Sequence, residues 1–296
     1  PQLDLVEAMC EDVAIIDRGR VVASGDLDGV RSAAPHRVVE IELLGQTVNA
    51  YSDPESGAGL SALLRAISVI PGLRRLRFVT SHPRNFGDDL IAAMAECEPV
   101  CPSLHLPFQS GSDAILRRMK RQYTRAEYVD LVGRLRSAVP GLALSTDIIV
   151  GFPGESDEDF ESTISLLDEV RFAAVFCFVY SPRPSTAAAR WELDVPAPVA
   201  QARLARLNDH QQELQLRANE SMVGEVLEVL VEGPDRTGKR VSGRSPFNHL
   251  VHVENAQDAP AGSFVTARID QGLANSLLGR ALRVERRMPA DLRPST

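Results

Sequence analysis

Between residues 38 and 180, short apolar runs alternate with stretches of helical spacing, and this alternation restricts the fold more than any other feature of the sequence. The strand-like runs are residues 38–44, 76–80, 103–106, 143–150 and 173–180. Helical periodicity separates them at residues 59–69, 88–96, 113–120 and 125–138, and again from residue 156. Strands connected through helices pair in parallel with right-handed crossovers. The sequence therefore predicts an α/β fold with about five parallel strands.

Each of these strands is followed by a polar or glycine-rich segment. Because the carboxyl ends of parallel strands lie on one side of a sheet or barrel, we expect these segments to share one rim, where such proteins bind ligands. Taken singly, each polar residue there is as compatible with a loop side chain that satisfies backbone groups as with a ligand contact. The candidate ligand-binding residues of this rim are Gln46, Asn49, Ser81, His105, Gln109, Ser110, Asp147 and Arg183.

A different pattern begins after a long predicted helix at residues 196–219. Short β-like runs at residues 223–232, 240–243, 250–253, 264–270 and 278–284 are separated by Gly, Pro, Asp and Asn. They predict a small antiparallel β-barrel. Its candidate RNA contacts are Arg240, Arg244, Asn248 and Asn275, which solvated surface side chains would explain equally well. The predicted domains are a leader at 1–36, the α/β part at 37–215, the small barrel at 216–285 and a tail at 286–296.

The charge distribution limits the kinds of partner that the protein is expected to bind. The net charge of −8 argues against a protein that coats nucleic acid through charge alone. From residue 216 onward, 11 Lys and Arg stand against 10 Asp and Glu, whereas the preceding residues have 21 against 30. Any nucleic-acid contact is therefore expected to begin in the carboxyl-terminal part.

The location of the protein in the cell is predicted from the absence of two kinds of sequence segment. There is no apolar run long enough to cross a membrane and no signal peptide pattern. The four cysteines are too scattered for a disulfide framework. We therefore expect a cytoplasmic protein with reduced thiols and no membrane partner.

Five segments follow one another in the order of a known family. They are LLGQTVNAY at 43–51, RFVTSHPR at 77–84, LHLPFQSGS at 104–112, RRMKRQYT at 117–124 and TDIIVGFPGE at 146–155. In these segments the sequence resembles the radical S-adenosylmethionine methylthiotransferases, most closely those that modify tRNA. With the small carboxyl-terminal barrel, which looks like a TRAM domain, the resemblance spans about residues 40–285.

The resemblance implies a fold, cofactors and a reaction. The fold would be an incomplete (β/α)6 radical-SAM barrel followed by TRAM, and the cofactors S-adenosylmethionine and 4Fe-4S clusters. The reaction would add a 2-methylthio group to a dimethylallyladenosine beside the anticodon, with the rim facing the cofactor and the target base. The tRNA anticodon loop would be the partner, because its unpaired bases can be splayed out and stacked. The alternatives are a tRNA-binding module without chemistry and a transferase that acts on a ribosomal-protein aspartate.

The sequence departs from the family at the cluster ligands. The family's CxxxCxxC loop after the first barrel strand has no counterpart here, so no metal ligand is predicted. Cys97 and Cys101 have the first spacing, but Leu104 stands at the third position. We therefore expect the chain to correspond to the carboxyl-terminal part of the enzyme and to be inactive alone. The sequence leaves open whether a separate chain that carries the clusters is a partner.

Residues 1–32 resemble a different family, the ABC-transporter ATPases, in the helix and hairpin that follow their switch histidine. No phosphate loop of the form GxxxxGK[ST] occurs, so ATP binding is not expected. A third hypothesis is that the protein associates with an ATPase through this leader. We expect the hairpin at residues 13–23 to pair with the open edge strand at 38–44 and so to cover it.

Overall fold

A computed structural model describes residues 13–17, 20–25, 40–45, 47–79, 81–184 and 186–285. Strands β1 (Val13–Asp17) and β2 (Arg20–Gly25) form an antiparallel hairpin. Among the strands in these ranges, the two pair only with each other. The prediction that the hairpin pairs with the edge strand at residues 38–44 is therefore wrong, because the strand at residues 40–43 pairs with the strand at residues 75–78 and with no other described strand. The other residues of the predicted leader lie outside the described ranges.

The α/β part is a partial parallel barrel, as predicted. Strand β3 pairs in parallel with β4, and β5, β6 and β7 form a second parallel set. A single bridge between Leu76 and Val100 connects the two sets. In chain order the elements are β3 (Glu40–Leu43), α1 (Leu60–Ser68), β4 (Arg75–Phe78), α2 (Asp88–Glu96), β5 (Ser103–His105), α3 (Asp113–Arg118), α4 (Arg125–Ala138), β6 (Ala143–Val150), α5 (Asp157–Val170) and β7 (Ala174–Val179).

Alternation along β6 decides which side chains enter the barrel. Leu144, Ile148 and Val150 are buried against the helices, whereas the intervening residues, including Asp147, are partly exposed toward the lumen. Helix α5 begins at the predicted cap Ser156, whose hydroxyl accepts a hydrogen bond from the Asp159 backbone N–H. The chain thus places polar side chains inside the barrel and the apolar ones in its outer layer.

The carboxyl-terminal barrel is a closed five-stranded sheet in the order β10-β12-β11-β8-β9. Its strands are β8 (Val226–Pro234), β9 (Val241–Arg244), β10 (Leu250–Glu254), β11 (Phe264–Gly272) and β12 (Leu277–Glu285). The barrel is not wholly antiparallel as predicted, because β10 and β12 run in parallel where the sheet closes. Helix α6 (Ala197–Glu220) leads into it and continues past residue 216, where the sequence predicted the domain boundary.

Glycine at position 272 allows this barrel to sit against the end of α6. A Cβ atom on Gly272 would lie 2.4 Å from the backbone carbon of Asn219. The Asn219 amide also donates to the Leu273 carbonyl at 2.6 Å. In the described ranges, no helix combines the length and the apolar character that crossing a bilayer requires.

Arg75 and Arg77 of β4 fasten the two barrels together, and we call this pair the arginine clamp. Arg75 donates to the carbonyl of Arg244 at 2.7 Å and to the Glu228 carboxylate at 3.1 Å. Arg77 donates to the carbonyls of Ser245 at 2.8 Å and Pro246 at 3.1 Å. Because both arginines are buried, the carbonyls they satisfy have little access to water.

Candidate functional site

His105 is the centre of the polar cluster inside the partial barrel. Its Nε2 lies 3.4 Å from the Asp147 carboxylate, and its Nδ1 lies 3.0 Å from the Ser145 hydroxyl. The ring also makes an edge contact with Phe176, with 6.0 Å between the centroids. A neutral imidazole fits these partners, since it has one donor for the carboxylate and one acceptor for the hydroxyl. The carboxylate and hydroxyl therefore fix the ring while one edge remains open to the lumen.

Ser81 and Asn49 belong to the neighbouring loops. The Ser81 backbone N–H donates to the His105 carbonyl at 3.3 Å, while its buried hydroxyl has no hydrogen-bond partner. Asn49 donates to the His82 carbonyl at 2.9 Å and accepts from the His82 N–H at 2.8 Å. The Asn49 amide thus joins two loops, whereas the Ser81 hydroxyl is a polar atom that a bound molecule could satisfy.

Gln109 approaches the cluster through its backbone. Its N–H donates to the Asp147 carbonyl at 3.0 Å, and its own carbonyl accepts from Ile149 at 3.0 Å. The residue has φ +72°, a left-handed conformation that costs a side-chain-bearing residue free energy. Ser110 is buried, and its hydroxyl accepts from the Ser112 N–H at 3.3 Å. The structure therefore brings Asn49, Ser81, His105, Gln109, Ser110 and Asp147 into one neighbourhood.

Two buried tyrosines hold the loop that contains Gln109. Tyr128 donates to the Leu106 carbonyl at 2.7 Å, and Tyr123 donates to the Phe108 carbonyl at 3.1 Å. Burial raises the pKa of Tyr123 to about 12 and raises that of Tyr128 well above its usual value, so both hydroxyls keep the proton they donate. Gly111 completes the loop by lying against α5, where a Cβ would meet the Ser162 carbonyl oxygen at 2.3 Å.

The strain at Gln109 gives a testable prediction. We expect Gln109→Gly to leave the free energy of unfolding unchanged or to raise it by about 1 kcal/mol, because glycine adopts positive φ without a steric penalty. Gln109→Ala is the matched variant, because it also removes the side chain beyond Cβ but keeps the strained backbone conformation. We expect it to be the less stable of the two. Urea denaturation measures both, and an Ala variant more stable than the Gly variant would contradict the argument.

The remaining predicted residues lie elsewhere. Arg183 is exposed and makes no side-chain contact with the His105 cluster, so the structure does not join it to the other rim residues. Gln46 lies outside the described residues. Arg240 is paired with Glu254 at 3.0 Å on the surface of the carboxyl-terminal barrel. Arg244, Asn248 and Asn275 instead line the closed-barrel side of a cavity of about 300 Å³ between the two barrels, which His105 also lines.

Ser145 and Phe176 were missed because the sequence argument concentrated on residues at and beyond strand ends and included only Asp147 from within β6. Ser145 lies two residues before Asp147 on β6 and therefore points to the same side of the strand. Phe176 stands opposite Asp147 in the parallel register of β6 and β7. The period of two along each strand, applied from Asp147, was the signal that could have identified both lumen residues.

The described residues do not fit an iron–sulfur cluster. Within those ranges, no group of three or more His, Cys, Asp or Glu side chains could hold a metal ion. Cys97 and Cys101 are buried ahead of β5, at the end of the barrel opposite the predicted rim. Burial raises the pKa of Cys101 and raises that of Cys177 to about 12, which disfavours the thiolate that ligation requires. Cys10 lies outside the described residues.

Comparison with protein families divides the chain as the fold does. The Radical SAM superfamily model matches residues 27–167, and the TRAM domain model matches residues 220–282. The first match covers strands β3 to β6 and most of α5, and the second covers nearly all of the closed barrel. Both domain types expected from the sequence are therefore confirmed.

Curated relatives match along most of the chain. The tRNA-2-methylthio-N(6)-dimethylallyladenosine synthase of Geotalea uraniireducens is 46% identical over 90% of this chain and 61% of its own length. The synthases of the same name from Acidothermus cellulolyticus and Acetivibrio thermocellus are 48% and 44% identical over 81% and 87% of this chain. The chain spans 49% and 54% of those two proteins. Both domains therefore occur in the order expected from the sequence, and the chain is similar to these synthases over most of its own length.

Proposed function

We propose that this chain binds the anticodon loop of tRNA in the cytoplasm and takes part in adding a methylthio group to an adenosine base there. The observation that carries the proposal is the 44–48% identity to named tRNA-2-methylthio-N(6)-dimethylallyladenosine synthases across both barrels. The polar cluster around His105 supports it, because it lies in the lumen of a partial parallel barrel, where such folds bind their ligands.

The residues around His105 suit the nucleoside part of S-adenosylmethionine. Ser81 offers a buried hydroxyl without a partner, and Asp147 offers a carboxylate oxygen that can accept from ribose hydroxyls. Gln109 and Ser110 bring a strained backbone and small polar groups to the same edge. When bound, S-adenosylmethionine supplies the radical chemistry of the family. The family also implies 4Fe-4S clusters, but since no cluster ligands are found among the described residues, we derive no step through one.

His105 is held in one orientation by neighbours on both sides of its ring. Asp147 lies against one ring nitrogen and Ser145 against the other. Phe176 makes an edge contact with the ring. Since both ring nitrogens have partners, the Asp147 carboxylate and the Ser145 hydroxyl are the groups of this cluster that can hydrogen-bond a base edge inside the lumen.

The alternatives are separated by their ligands. A tRNA-binding module without chemistry would share the RNA affinity, whereas a transferase acting on a ribosomal-protein aspartate would bind a peptide. The names of the relatives, which are tRNA-modifying synthases, favour RNA.

We expect the chain to bind a fluorescent anticodon stem-loop RNA with an affinity that falls as salt rises, because each phosphate contact releases counterions. Arg240→Ala should weaken binding and lower the slope of log K against log salt by about 1. Arg134→Ala is the matched control, since Arg134 is a similarly exposed arginine on α4, away from the carboxyl-terminal barrel. Fluorescence anisotropy measures both variants. Failure to bind RNA at any salt concentration would overturn the proposed function.

A further inference from the structure

The cavity between the two barrels is formed by both domains. Ser103 and residues 173–175 line it at the amino ends of β5 and β7, and Arg244, Phe247 and Asn275 line it on the side of the closed barrel. From these amino ends the cavity extends to His105, Ser145 and Phe176, so it is continuous with the lumen that holds the polar cluster. Its volume of about 300 Å³ is at the lower end for ligand sites and suits a single nucleotide base with its sugar.

The wall supplied by the closed barrel is rigid. The arginine clamp holds the backbone carbonyls of residues 244–246, as described above. The following turn is closed by the Asn248 N–H donating to the Ser245 carbonyl at 3.0 Å and by Ser245 donating to the His249 carbonyl at 3.1 Å. Asn248 has φ +67°, a left-handed conformation that this turn requires. A site with a preformed wall loses less conformational entropy when a ligand binds.

The chemistry of the cavity matches an unpaired nucleotide. Phe176, half exposed, and Phe247 offer aromatic surface for stacking. Asn248 and Asn275 are exposed amides, which can pair with the donor and acceptor edge of a base. Arg244 is 41% exposed and lies 3.5 Å from Glu232, so its guanidinium can still reach a phosphate.

We propose that this cavity is a second RNA site, which takes one unpaired nucleotide of the bound RNA other than the base to be modified. The proposal rests on the proposed function, because it assumes that RNA is the partner. It follows that the RNA is held at two points, at the rim end of the lumen and at the closed-barrel end of the cavity, so that the second contact sets which base reaches the rim.

The test fills the cavity without changing its charge. In Asn275→Trp the indole would occupy the space of the nucleotide, and we expect the anticodon stem-loop to bind about tenfold more weakly, as for loss of one stacked base. The slope of log K against log salt should also fall by about 1, because the displaced nucleotide loses the contact of its phosphate with Arg244. Gln257→Trp, an exposed position of the same barrel that does not line the cavity, is the matched control. Equal affinity of the wild-type chain and Asn275→Trp would overturn the proposal while leaving the proposed function intact.

Two further measurements cover the case in which Asn275→Trp does not fold. Phe247→Leu removes stacking surface with a small change in volume and should weaken RNA binding about fivefold. A stem-loop carrying 4-thiouridine in its loop should crosslink to peptides of residues 244–250 or 273–276, and crosslinks confined to other peptides would refute the site. AMP is the second probe, since AMP binding that Asn275→Trp abolishes, with RNA affinity unchanged, would make the cavity a small-molecule site and overturn the proposal.

Discussion

Arg203→Met is expected to lower the free energy of unfolding by about 3–5 kcal/mol, because it leaves a buried carboxylate without its counter-charge. Arg203 of α6 donates to the Glu155 carboxylate at 2.6 Å, and the Glu155 side chain is only 1% exposed. The same carboxylate accepts from the Gly151 N–H at 2.7 Å. Thus the last residue of the GFPGE segment connects the end of β6 to the helix that leads into the second barrel. Urea denaturation followed by circular dichroism measures the loss.

The pH dependence of this variant provides an internal check. Burial raises the pKa of Glu155 above its usual range, although the Gly151 N–H and Arg203 act in the opposite direction. Removing Arg203 removes one of these opposing effects, so the pKa should rise further. A carboxyl whose pKa is higher in the folded protein than in the unfolded chain gains stability as the pH falls through that pKa. The loss of unfolding free energy caused by Arg203→Met should therefore become smaller as the pH is lowered.

The double variant separates charge from packing. Glu155→Gln combined with Arg203→Met has no buried charge, and we expect it to be more stable than Arg203→Met alone. A double variant that loses as much as the sum of the two single variants would show that the loss comes from packing against the helix and not from an unpaired carboxylate.

Arg77→Leu is expected to cost at least about 3 kcal/mol, because it deprives two buried carbonyls of a charged donor. Its guanidinium also donates to Glu40 at 2.6 Å and to Ser103 at 2.7 Å, so one residue joins β3, β5 and the second barrel. Since this arginine connects the domains, differential scanning calorimetry should resolve two transitions in the variant where the wild type has one.

Arg74→Met is the matched control for that experiment. Arg74 directly precedes β4 and contacts the same carboxyl-terminal barrel. Its guanidinium lies 3.1 Å from the Glu285 carboxylate and over the ring of Phe264. Its side chain is 36% exposed, so we expect a loss of about 1 kcal/mol or less and a single transition. Equal losses in the two variants would contradict the idea that burial of Arg77 is what couples the barrels.

Much of the fold could be read from the periodicity of the sequence. Apolar runs separated by helical stretches predicted the parallel strands, and the helix cap at Ser156 was readable because its side chain acts within one turn. The parallel closure of the second barrel was not readable, since β10 and β12 meet only after β11 has intervened. Local patterns give the type of an element but not the direction of a distant neighbour.

The same distinction applies to the candidate site. His105 and Asp147 were found because strand ends in parallel folds carry ligand contacts, and the structure places them 3.4 Å apart. The structural use of Asn49 was not predictable, because the His82 backbone that occupies its amide comes from another loop. The arginine clamp was missed for a related reason, since Arg75 finds its partner Glu228 at a separation of 153 residues.

The acceptors of the clamp on residues 244–246 are all main-chain oxygens. Any amino acid provides such an oxygen, so the angle at which the second barrel meets the first does not depend on which side chains stand at these positions. Evolution can therefore vary the side chains of this loop to suit a different nucleic acid while the mutual orientation of the two barrels is retained.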